Sequence, residues 1–279
     1  MRLTRLGEVI FAVSFAGFGV LILVSGDLEL LWKLFPAWGP WREPIAYASG
    51  LMLLAGGLGM LLPRTARLGT LVITVNVLLW LLVLGLPRVV ANPTNELMWL
   101  NFGQNLMLVT GGWTLLGSFA GPGGSPVLRS ATGARGLRWA LILYAIALPM
   151  VGLSHFVYPK AAAAAVPAWL PYHLGFAYLT GAAHIAAGLG ILFGVLRRLA
   201  ATAEAVMISI FLLLVSVPGI VASPATRDPW VEFFITAMAA GAAWAIAGSL
   251  QGAAWGLARQ SGPRAETIVK RPGAARDGT

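Results

Sequence analysis

The chain has 279 residues, 58% of them hydrophobic and only 10% charged, with mean hydropathy +0.81. A soluble domain carries about 25% charged residues, so an ordinary soluble globule is excluded. The formal net charge is +9, and the absence of cysteine excludes disulfides, thiolate metal sites and Cys-ligated iron–sulfur clusters.

Apolar runs recur at lengths that match a hydrocarbon core of about 30 Å. They place eight membrane spans at about 9–25, 45–62, 68–86, 98–119, 137–156, 175–195, 199–217 and 230–250. A backbone in lipid must satisfy its own hydrogen bonds, and the Leu, Ala and Gly content favours helices over a barrel. The first run follows Arg2 and Arg5 as a signal peptide would. No small-x-small cleavage site follows it convincingly, and 137–156 is a matching run in mid-chain. It reads as a retained helix.

With eight spans, Arg2, Arg5, Arg64, Arg67, Arg129, Arg135, Arg138, Arg197, Arg198, Arg259, Arg264, Lys270, Arg271 and Arg276 fall on one side. Lys33, Arg42, Arg88, Lys160 and Arg227 fall on the other. Fourteen against five places both termini in the cytoplasm. The basic excess then orients the protein and meets anionic headgroups, with the lipid bilayer and not nucleic acid as its partner.

The chain also repeats itself. A shift of 131 residues lays Pro36–Ser118 on Pro167–Ser249 without a gap, with 27 identities in 83 positions. Pro36-Ala37-Trp38 meets Pro167-Ala168-Trp169, Gly57-Leu58-Gly59 meets Gly188-Leu189-Gly190, Pro87 meets Pro218 and Trp113 meets Trp244. Apolar composition does not place Trp, Pro and Gly in matching register, so the chain reads as a tandem duplication. Each copy has four spans, an even number, so the copies run parallel about an axis along the membrane normal. The expected division is a first four-helix repeat over 1–120, a flexible cytoplasmic linker over 121–135, a second repeat over 136–250 and a basic, disordered tail over 251–279. Trp32, Trp38, Trp41, Trp99, Trp169, Tyr172 and Trp230 form an outer aromatic belt.

Ionisable groups inside a membrane are costly, and each prompts a functional reading. On the fourth span, Asn101, Gln104 and Asn105 form an i, i+3, i+4 stripe, matched on the eighth by Glu232, Ile235 and Thr236. The stripe either hydrogen-bonds neighbouring helices or lines an outward pocket with His155, Tyr158, His173 and Tyr178. His155 closes the fifth span, and His173 and His184 share nearly one face of the sixth. His184 sits near midplane, where an imidazole could relay protons, hydrogen-bond a quinone carbonyl or ligate haem. The bland alternative is a neutral histidine bonded to a neighbouring carbonyl or hydroxyl. Haem is disfavoured because His184 has no second ligand at its depth, although His155 and His173 could meet at the outer rim. Glu204 reads as an interfacial carboxylate reaching Arg197 or Arg198. No metal-ligand spacing, phosphate loop or nucleophile constellation is visible.

The runs GLSHFVYP (152–159), VPAWLP (166–171) and AYLTGAAHIAAGLGIL (177–192) resemble the DoxX-like family of bacterial four-helix membrane proteins. The resemblance covers roughly 137–250, with His155 at the family's His-Phe and His184 at its polar position. The first repeat departs from it, with Ile22 in place of His155 and Leu53 in place of His184. The resemblance implies a bacterial inner-membrane protein, similar in fold to small subunits of thiosulfate:quinone oxidoreductases.

The expected fold is therefore all-α: eight transmembrane helices as two parallel four-helix bundles. The expected function is a quinone-contacting membrane subunit that works with a redox partner protein rather than as a stand-alone enzyme. A small-molecule transporter and a structural subunit without chemistry are the alternatives. The candidate ligand or proton site comprises His184, His173, His155, Tyr178 and Glu232.

Overall fold

The computed structural model describes residues 3–28, 39–119 and 125–255. Among these residues the chain is all-helical. Its long helices are α1 (Leu3–Ser25), α2 (Arg42–Leu61), α3 (Ala66–Ala91), α4 (Glu96–Ser118), α5 (Ala134–Val157), α6 (His173–Phe193), α7 (Arg197–Ala222) and α8 (Arg227–Ser249). Seven are long and apolar enough to cross a membrane, which makes the chain a multi-pass membrane protein. The exception is α4, also 23 residues long, whose apolar character is diluted by Asn101, Gln104 and Asn105.

Local chemistry sets the helix ends. Asn95 Oδ1 accepts from Leu97 N at 3.1 Å and caps α4. Gly194, at φ +76°, ends α6 in the left-handed conformation that a side chain disfavours. Both α3 and α7 run past Pro87 and Pro218, where the sequence places their ends. In each, five residues wind as a π-turn, Leu81–Gly85 and Leu212–Ser216, just before the proline. A proline has no N–H and collides with the carbonyl four residues back. The wider π-turn moves that carbonyl aside, and the helix continues.

The segment expected as a flexible linker is helical in part. Pro126–Thr132 forms a short helix capped by Ser125 Oγ, and Trp113 Nε1 ties it to α4 by donating to Ala131 O at 2.7 Å. Residues 29–38, with Trp32, Pro36 and Trp38, residues 120–124 and the basic tail from 256 onward lie outside the described residues.

The helices pack as a ring. Each long helix lies on the next, α8 returns to α1, and α4 touches α8 across the middle. Two self-contained bundles would pair α1 with α4 and α5 with α8. Instead, the first helix of each half lies against the last helix of the other, so the halves interlock. Small residues permit this. A Cβ on Gly241 of α8 would stand 2.6 Å from Phe11 N, and one on Gly7 of α1 would stand 2.5 Å from Ala245 N. Lipid offers no hydrophobic drive between helices, so this close packing must hold them.

One end of the ring carries Asp27, whose carboxylate meets Arg42 at 3.0 Å and Arg227 at 3.8 Å. The opposite end carries the α6–α7 turn and Arg198. Gly241→Leu is expected to destabilise the protein by about 3 kcal/mol, since the new side chain meets backbone that cannot move aside. Gly252→Leu, with nothing within 4 Å of its Cβ position, is the neutral control. Thermal unfolding in mild detergent measures both, and equal melting temperatures would refute the α1–α8 contact.

Candidate functional site

α6 and α7 bring together two side chains that are ordinarily kept out of lipid. His184 lies mid-way along α6, and Glu204 lies about two turns into α7. His184 Nδ1 and Glu204 Oε1 are 2.8 Å apart, with His184 4% exposed and Glu204 1% exposed. The other carboxylate oxygen, Oε2, is buried and makes no hydrogen bond. The hydroxyl of Tyr144 on α5 is also buried without a hydrogen-bond partner, within electrostatic reach of Glu204. His155 from α5 brings its ring centroid to 5.6 Å from that of His184, and Phe211 of α7 lies at 6.5 Å.

These rings border a chamber of about 190 Å³ that runs toward the Asp27 end. Gln104 and Asn105 from α4 and Glu232 and Thr236 from α8 supply its polar wall. Asn105 Oδ1 is buried and unpartnered there. Nδ1 of His155 faces Val151 O at 3.3 Å, and Nδ1 of His184 is held by Glu204. Nδ1 of each ring is thus engaged, and both residues line the chamber.

A second cavity, of about 680 Å³, lies beyond Glu204 toward the α6–α7 turn. Ala183, Ala187, Phe193, Leu199 and Met207 are among its apolar walls, and Glu204 is its one charged lining residue. The first half closes the corresponding space. There Gly69 lets α3 sink onto α2, and a Cβ on Gly69 would stand 2.7 Å from Met60 N. The 131-residue shift puts Ala200 in that place, and its Cβ lies 3.1 Å from the Cβ position of Gly190. One methyl group thus stands where α7 would otherwise close on α6.

The same shift pairs His184 with Leu53 and Glu204 with Ile73, both fully buried. An apolar pair in one half is an acid–base pair in the other. The first half has its own polar cluster elsewhere, where Ser49 Oγ accepts from Asn76 Nδ2 at 3.2 Å and Trp80 Nε1 at 2.9 Å. The sequence reading did not single out that cluster.

The structure gathers His184, His155 and Glu232 but not the other candidates. His173 opens α6 and is not part of the chamber wall, so His155 meets His184 and not His173. Tyr178 stacks on Phe156 at 5.6 Å on an exposed face. Tyr158 is exposed as well. His184 does have an ionisable partner at its own depth, and Glu204 does not reach Arg197 or Arg198. Arg198 instead lies 4.0 Å over the Trp255 ring and donates to Ala253 O. Asn101 and Asn105 do not bridge helices. Each donates to the carbonyl four residues back, Leu97 O and Asn101 O, at 2.8 Å. Among the described residues no group of three or more His, Asp or Glu is placed to hold a metal ion.

A family model described as a domain of unknown function, DUF8561, matches residues 144–230. That stretch begins at Tyr144 and contains His155, His184 and Glu204. No curated protein and no solved structure matches the chain.

Breaking a buried pair by removing one partner costs about 3–5 kcal/mol, whereas replacing both with packed apolar groups is often neutral. Glu204→Ile alone tests the loss of one partner, and His184→Leu with Glu204→Ile reproduces the first half's Leu53 and Ile73. His184→Leu alone is expected to lower the unfolding temperature, and the double substitution to recover most of it. If the double variant is as unstable as the sum of the single variants, the two side chains do not act as a pair.

Proposed function

We propose that this chain is a DoxX-like, tandemly duplicated protein of the bacterial inner membrane, whose second half binds a quinone head group and serves a redox partner protein. The observation that supports this reading is the buried His184–Glu204 pair on the wall of a small polar chamber. Quinone carbonyls need hydrogen-bond donors, and reduction to the quinol takes up two electrons and two protons. Nε2–H of the His184 imidazole, the Gln104 amide and the Thr236 hydroxyl are donors of the right kind on the chamber wall. The His184–Glu204 pair is suited to hand a proton to a bound carbonyl. The electrons come from the partner protein. A chamber of about 190 Å³ is smaller than the roughly 300–1,000 Å³ of whole-ligand pockets, so it suits a head group whose tail lies in lipid. A proton-coupled transporter is the second reading, favoured by cavities that approach the pair from opposite ends.

Binding of a short-tailed quinone to the protein in nanodiscs, read by tryptophan quenching, tests the first reading. His184→Leu is expected to weaken binding about tenfold or more, the scale of one lost hydrogen bond of about 1.4 kcal/mol. His184→Gln keeps a hydrogen-bonding side chain and should retain binding. Wild-type affinity in His184→Leu would overturn the proposal.

The proposed topology has eight spans with both termini cytoplasmic and the halves related by rotation about the membrane normal. The natural absence of cysteine makes it directly testable. A single cysteine at exposed Ser130 should react with an impermeant maleimide only from the cytoplasmic face, and one at exposed Ser223 only from the other. Labelling of both from one face would exclude this arrangement.

A further inference from the structure

We infer that the apolar cavity between α6 and α7 is a binding site for a lipophilic cation, held by the Glu204 carboxylate in exchange for a proton. The site goes beyond the quinone reading and does not depend on it. Three observations converge on Glu204. It is the one charged lining residue of a cavity of about 680 Å³, a volume suited to a whole hydrophobic molecule. Its Oε2 is buried with no hydrogen-bond partner, while Oε1 is held by His184. The position paired with it in the first half is Ile73, where the helices close and no such cavity is needed. Glu204 belongs to the cavity lining with its side chain fully buried, and an unpartnered carboxylate oxygen behind that apolar wall is complementary to positive charge carried on apolar bulk. An anion or a neutral acyl chain would leave that oxygen unanswered.

The exchange follows from charge balance. Net charge in a desolvated site costs several kcal/mol, so the site is least costly when either one proton shared by His184 and Glu204, or one bound cation in its place, brings the sum to zero. A cation arriving at Oε2 restores zero net charge once that proton leaves, so one cation enters and one proton departs. Among the described residues, Glu232 on α8 lines the neighbouring chamber rather than this cavity, and the Tyr144 hydroxyl and the His155 imidazole, both on α5, lie within electrostatic reach of Glu204. Neither carries negative charge that could replace Glu204 as the counter-ion. Leu189, Phe193 and Leu199 are cavity residues that remain exposed, which opens the site sideways to lipid, the phase from which a lipophilic cation arrives.

The probe is tetraphenylphosphonium, titrated by calorimetry into the full chain in phosphatidylcholine nanodiscs, with empty nanodiscs as the blank. Saturable binding is expected, with release of one proton measured across buffers of different ionisation enthalpy. While the pair holds its proton, affinity should rise about tenfold per pH unit, because the proton is a product of binding. Glu204→Gln should abolish the saturable component, and Glu204→Asp, which keeps the charge, should retain a weakened one with the same pH slope. Ala183→Phe should occlude the cavity. His155→Leu, which removes a chamber wall, should leave cation binding intact, so failure of the quinone reading and failure of this one are separable. The proposal is overturned if wild type shows only the binding of empty nanodiscs, or if affinity is independent of pH. It is also overturned if Glu204→Gln, folded by circular dichroism and size exclusion, still binds. A co-purifying lipid that tetraphenylphosphonium does not displace would overturn it in favour of a lipid, and a wild-type dimer that Ala183→Phe dissociates would overturn it in favour of a second copy.

Discussion

Everything in this molecule depends on how closely helix backbones can approach one another in lipid. Water drives apolar faces together in a soluble protein, but a hydrocarbon solvent does not distinguish a leucine from itself. Association must come from contact, and contact from residues too small to hold the backbones apart. Gly7 and Gly241 set α1 on α8, Gly19 and Gly50 set α1 on α2, and Gly152 and Gly181 set α5 on α6. The ring is the sum of those approaches. The His184–Glu204 pair sits where one of them, between α6 and α7, is relaxed.

That relaxation is local. Across the α2–α3 crossing, Gly69 lets the helices meet, and Leu53 and Ile73 fill the interior. Across α6–α7 the corresponding residue is Ala200, and His184 and Glu204 take the interior places. The polar pair and the open cavity therefore occur together, on the same two helices. Burying an ionisable pair is costly, and it is tolerated because each partner answers the other. The orphaned Oε2, the Tyr144 hydroxyl and Asn105 Oδ1 are unanswered acceptors and donors around the pair, and this is the pattern left where a ligand or ordered water completes the network.

Much of the fold was legible in the amino-acid sequence because hydropathy and length decide whether a helix suits lipid. The helix positions follow the apolar runs closely, and the polar stripe on α4 marked the chamber wall. The errors have physical causes. The apolar runs end at 86 and 217, but α3 and α7 continue past Pro87 and Pro218 because a π-turn absorbs each proline. Ring closure between α1 and α8 leaves no mark in any single helix, because glycine pairs announce close packing without naming the partner. Glu204 was assigned to the nearest arginines in sequence, whereas it faces inward on α7. A signal was present, since the 131-residue shift changes Leu53 and Ile73 together into His184 and Glu204, and two coordinated polar changes on adjacent helices imply contact. Tyr144 gave no such sign.

The interlocked ring has a consequence for biogenesis. Helices leave the ribosome in order, and α1 enters the bilayer long before its chief partner α8 has been synthesised. Until then the glycine face of α1 that receives α8 has only lipid or a chaperone against it. The two halves therefore cannot mature one after the other as independent units. Folding of the first is completed by the last helix of the second, and a nascent chain that stalls before α8 presents an unsealed seam to the quality-control proteases of its membrane.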